Sequence, residues 1–140
     1  MKKAAILLLV LSCGSTSAAE STISSVYKAD TGEVSGETVR YYQTLDSPCI
    51  FIQILKPGSK GKAFFTKEFC SVFGKSFRDG YASVALDDAR FIDDTLDLTL
   101  KLTPLELIDD EFFKCSVTVR NEEIVEPVCL KVDASHANVH

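Results

Sequence analysis

From residue 95 to residue 103 the chain alternates without a break. Leu96, Leu98, Leu100 and Leu102 fall on one side of an extended backbone, and Thr95, Asp97, Thr99, Lys101 and Thr103 on the other. A period of two marks an antiparallel strand with one buried and one wet face. Burial of each leucine contributes ~1.5–3 kcal/mol as an upper bound, so this segment is the predicted anchor of the core. Pro104 should end it, because proline brings no N–H to a ladder. Residues 38–44, 49–55, 112–119 and 124–132 read as further strands, rich in β-branched and aromatic side chains. Residues 23–28 and 81–86 join them, with 89–92 continuing the latter.

Between 64 and 73 the period changes. Phe65, Phe69, Val72 and Phe73 lie on one helical face, and Gly74 follows as a stop. The competing reading makes 63–70 a strand returning from the turn Lys56-Pro57-Gly58-Ser59-Lys60-Gly61. The helix is the preferred expectation. Together the elements predict a mainly β fold, all-β or α+β: an antiparallel sandwich or partly open barrel of about six to eight strands, with at most one short helix near 65–73. Residues 20–132 form a single domain in this reading, and 133–140 a flexible tail.

Four cysteines punctuate the strands: Cys49, Cys70, Cys115 and Cys129. Of the three possible pairings, Cys49 with Cys70 and Cys115 with Cys129 each bracket a turn. The second pair carries a conflict. Setting Phe113, Cys115, Val117 and Val119 against Ile124, Val128, Leu130 and Val132 needs an odd sum of opposed residue numbers, whereas Cys115 opposite Cys129 needs an even one. A bulge near Pro127 reconciles the two.

The first 19 residues read as an export leader. Lys2 and Lys3 precede the apolar run 4–11, and Ser17 and Ala19 suit a cleavage site before Glu20. The run is too short to span ~30 Å of hydrocarbon. Alternatively, Val10, Leu11, Ser12 and Cys13 resemble a bacterial lipobox, with Cys13 acylated and 14–25 as a linker. The expected location is the periplasm, or, with acylation, the periplasmic side of the outer membrane, where paired thiols oxidise.

Removing Lys2 and Lys3 with the leader shifts the net charge from −5 to −7. Such a surface repels phosphate, so nucleic acid is not an expected partner, and contact with a membrane is expected only through a lipid anchor. The only histidines, His136 and His140, sit in the polar tail, so Ser-His-Asp and Cys-His catalysis lack a base. No C-x₂-C pair frames a zinc site, and no acidic run carries the glycine of a calcium loop. No cofactor and no metal is expected. The acids cluster around Asp87, Asp88, Asp93 and Asp94, with more at Glu106 to Glu111; neighbouring residues on a strand face opposite ways, so one of Tyr41 and Tyr42 faces the core and the other outward, where beside Arg40 it is a candidate for an interface. The resulting expectation is a non-enzymatic binding protein that neutralises a basic protein partner through Asp87, Asp88, Asp93 and Asp94, as an immunity protein or an inhibitor of a cell-wall hydrolase. The alternative is an envelope assembly factor or lipoprotein with a groove for lipid or peptide.

Overall fold

The computed structural model describes residues 25–106 and 108–137, so the leader, Cys13, Leu107 and His140 lie outside the described residues. Two four-stranded antiparallel sheets face each other. The first has the order β1 (Val26–Val34), β2 (Glu37–Thr44), β3 (Ile50–Leu55) and β4 (Ala63–Phe69). After β4 come a short ladder of β5 (Ser71–Val72) with β6 (Lys75–Ser76) and a one-turn helix α1 (Phe77–Gly80) capped by the Ser76 hydroxyl. The second sheet contains β7 (Tyr81–Ile92), β8 (Thr95–Pro104), β9 (Glu111–Val117) and β12 (Val128–Val132), in the order β12-β9-β8-β7. A small ladder of β10 (Val119–Arg120) and β11 (Glu123–Ile124) precedes β12, and the one-turn helix α2 (Ala134–Ala137) follows it.

One core fills the space between the sheets. Leu96, Leu98, Leu100 and Leu102 meet Val39, Tyr41, Ile50, Ile52 and Ile54 there, as the alternating pattern requires. The expected antiparallel β sandwich is therefore present, but the helix near 65–73 is not. Residues 63–69 form β4, with Phe69 opposite Ile50 and Phe65 opposite Ile54. The tertiary reason is that Phe65 and Phe69 face inward equally well in a strand, and the strand reading also supplies β3 with a partner. Two one-turn helices occur elsewhere, and the second lies in the stretch expected to be a flexible tail, where Ala137 is buried.

Both cysteine pairs form as the turn spacing predicts, Cys49–Cys70 and Cys115–Cys129, with Cα separations of 4.5 and 4.0 Å. Two disulfides imply an oxidising, extracytoplasmic environment. Cys129 stands opposite Cys115, an even sum, whereas Val119 stands opposite Ile124, an odd one. The register slips by one residue between these pairs, and Pro127 lies in the slip.

The same parity logic governs β7. Tyr81, Val84 and Leu86 point inward, as do Ala89 and Phe91, and the switches from odd to even and back are absorbed by irregularities at Tyr81/Ser83 and Leu86/Asp88. Residues 81–92 are consequently one strand rather than two.

Gln43 and Lys28 close the corner between the sheets. Gln43, 1% exposed, donates its side-chain amide to the Val84 carbonyl (3.0 Å) and accepts from the Leu86 N–H (3.2 Å). The Lys28 ammonium donates to the Leu86 and Asp87 carbonyls. Side chains of the first sheet thus satisfy the β7 edge where no strand does, which leaves a sandwich bridged at one corner and no closed barrel. The Phe91 ring packs flat on Gly32 of β1, where an added Cβ would lie 2.4 Å from ring carbons.

Candidate functional site

The outward face of the first sheet carries two cross-strand rows. In the first, Arg40 on β2 donates through Nε and Nη2 to Gln53 Oε1 on β3 (3.1 and 2.7 Å), and Gln53 Nε2 donates to Thr66 Oγ1 on β4 (3.2 Å). Arg40 Nη2 also reaches the Gly61 carbonyl (3.3 Å), tying the guanidinium to the turn after β3. In the second row Tyr42 stacks on Phe51, with ring centroids 4.8 Å apart and planes within 9°. Both rows follow from register, because Arg40 is opposite Gln53 and Tyr42 opposite Phe51. A depression of about 590 Å³ lies over them, with Ser25, Thr44, Asp46 and Ser47 on its rim.

The charges of this face are fixed. Burial pushes the Tyr42 hydroxyl above its ordinary pKa, and Arg40 offsets this only in part. Asp46 is held below the usual carboxylate range, chiefly by a hydrogen bond from Thr44. At neutral pH the face therefore carries a protonated phenol and an ionised carboxylate. Its residue types, an aromatic pair and a pre-oriented arginine, are those enriched in the cores of protein interfaces.

The four aspartates lie elsewhere. Asp87 sits in the β7 bulge and Asp88 pairs with Arg90 at 2.8 Å, while Asp93 and Asp94 form the exposed β7–β8 turn, Asp93 at φ 50°. Asp88 on β7 and Asp93 in the turn that follows are five residues apart, at most roughly 17 Å at ~3.3 Å per residue. Arg90 places positive charge against Asp88, whereas the Lys28 ammonium sits on the backbone carbonyl of Asp87. Three further acids are engaged locally: Asp97 accepts from Thr95 and Ser116, Asp110 pairs with Lys101, and Glu111 with Lys131. Among the described residues no three of His, Cys, Asp and Glu converge in a metal-holding group.

The sequence showed that one of Tyr41 and Tyr42 faces outward near Arg40, and the structure makes it Tyr42, with Tyr41 in the core. Phe51, Gln53 and Thr66 were not singled out. Their signal was the alternation within 49–55, where Phe51 and Gln53 occupy the outward phase. No family model matches this chain. No curated protein and no solved structure matches it either.

Proposed function

We propose that this protein is an exported, non-enzymatic binding module that engages a periplasmic protein partner across the outward face of β1–β4. In this reading it neutralises that partner, as an immunity protein or an inhibitor of a cell-wall hydrolase does. The observation that carries it is the Tyr42–Phe51 stack beside an Arg40 fork that Gln53 and Gly61 hold in place. Such side chains lose little conformational entropy on binding, because neighbours already fix them. Asp93 and Asp94 steer a basic partner by long-range attraction, while the aromatic row supplies contact. The alternative of an apolar groove within the sheets is less favoured, since leucine, isoleucine and phenylalanine side chains occupy the space between them.

The test is capture from a periplasmic extract, followed by titration of the captured hydrolase. The double variant Tyr42→Ala with Phe51→Ala should weaken binding about a hundredfold, as loss of interface anchors does. Asp93→Lys with Asp94→Lys should chiefly slow association, and more so at low salt. Binding indifferent to all four substitutions would remove this reading.

A further inference from the structure

Val128 and Leu130 are 69% and 67% exposed, on the same outward face of one strand. The register slip before β12 put them there: Cys129 opposite Cys115 turns the neighbouring apolar residues away from the core. β12 also forms one edge of its sheet. The other edges are occupied or guarded. β1 and β7 meet through Lys28 and the Phe91–Gly32 contact, and β4 is tied to the approach to β12 by the Lys67–Glu126 ion pair. They also present carboxylates: Asp30 and Glu33 on β1, Glu68 on β4, Asp87 and Asp88 on β7. β12 carries a single charge, Lys131, already neutralised by Glu111 at 2.7 Å. In an acidic chain it is the edge on which two copies meet without repulsion.

The backbone specifies how. A Cα separation of 4.0 Å at Cys115–Cys129 is that of a non-hydrogen-bonded antiparallel pair, so the N–H and C=O groups of Cys129 and Lys131 point to the free edge. Among symmetric registers, one centred on Lys131 would oppose two ammonium groups, and one centred on Cys129 would draw in Pro127, which has no N–H. The register centred on Leu130 keeps all pairing within Val128–Val132.

We propose that the chain self-associates through β12, antiparallel about a twofold axis, with Leu130 against the partner's Leu130 and Val128 against the partner's Val132. The two second sheets then run on as one. The interface is a single short strand, so the dimer is weak and concentration-dependent.

Sedimentation equilibrium of the disulfide-intact secreted protein, from micromolar to ~1 mM, reads this directly. A monomer–dimer equilibrium is expected. Leu130→Lys should raise its dissociation constant about tenfold or more by opposing like charges on the axis, without moving the unfolding midpoint, since Leu130 is exposed. Leu130→Cys, oxidised at high concentration, should give a covalent dimer linked 130 to 130 by peptide mapping. A monomer throughout overturns the proposal, including the case in which the β12 edge serves an extended segment of another protein. A dimer insensitive to Leu130→Lys overturns it too, as does one whose oxidised Leu130→Cys form lacks the 130–130 link.

Discussion

At the scale of single residues, Gln43 shows how one polar side chain does the work of a strand. It lies among Tyr41, Ile50 and Leu86, yet its amide serves as donor and acceptor to the β7 backbone, so burial leaves its hydrogen-bonding groups satisfied. Replacing it with leucine keeps the volume and strands the Val84 carbonyl and the Leu86 N–H. Each unsatisfied group costs ~1–3 kcal/mol, so Gln43→Leu should destabilise the fold by about 2–6 kcal/mol. Thermal unfolding checks this, with a fall in midpoint of roughly 10 °C or more expected. An unchanged midpoint would mean that water satisfies the β7 edge equally well. In the sequence Gln43 is one more inward-phase position beside Val39 and Tyr41, with nothing local to distinguish its role; the partner backbone is 41 and 43 residues away.

At the scale of elements, phase controls which side chains enter the core. Every change from odd to even inward positions is matched by an extra residue, at Tyr81/Ser83, at Leu86/Asp88 and between the β10–β11 and β9–β12 ladders. The slip near Pro127 follows in the sequence from the conflict between the apolar phase and the Cys115–Cys129 pairing. The misread element was β4. Phe65, Phe69, Val72 and Phe73 satisfy a helical period by coincidence, since Phe65 and Phe69 also share a strand face, and a short apolar run does not distinguish the two. The disulfides pin these registers. Their loops span 14 and 21 residues, so the chain-entropy account predicts that Cys115→Ser with Cys129→Ser lowers stability by about 3 kcal/mol, and Cys49→Ser with Cys70→Ser by a few tenths more. Guanidinium midpoints of the two double variants would decide; a variant as stable as the parent would show that its bridge constrains nothing.

At the scale of the molecule, polar and charged groups from four strands meet at one end of the second sheet. Tyr81 on β7 is buried, donates to Glu111 on β9, and lies under the Lys75 ammonium of β6 at 4.2 Å, while Lys131 of β12 pairs with Glu111. Burial, and then the Glu111 charge and hydrogen bond, push the Tyr81 pKa up to about 12. The unfolded chain releases this proton near pH 10, so between pH 10 and 12 it binds fewer protons than the folded one, and stability falls as pH rises. The loss attributable to this group is at most about 3 kcal/mol. Stability of wild type and Tyr81→Phe measured across that window should show a shallower alkaline decline in the variant, and parallel curves would exclude this linkage. In acid the direction reverses: Glu111 is lowered by Lys131 and Asp110 chiefly by Thr103, so their stabilisation is present above the unfolded carboxylate pKa and lost as pH falls through the lowered values.

Local period and turn spacing by themselves determined the strand-dominated fold, the inward leucine row of β8, the outward placement of one of Tyr41 and Tyr42, and both cysteine pairings. These depend on neighbours a few residues away or on reflection about one turn. Only the tertiary structure decided that 63–69 is a strand, that Gln43 and Lys28 close the corner, that Tyr42 is the outward tyrosine, that Asp88 pairs with Arg90, and that Val128 and Leu130 face solvent. Those outcomes rest on groups brought together across the sheets, as when Lys28 meets Leu86 over 58 residues of chain, and a short window of sequence carries no record of such a meeting.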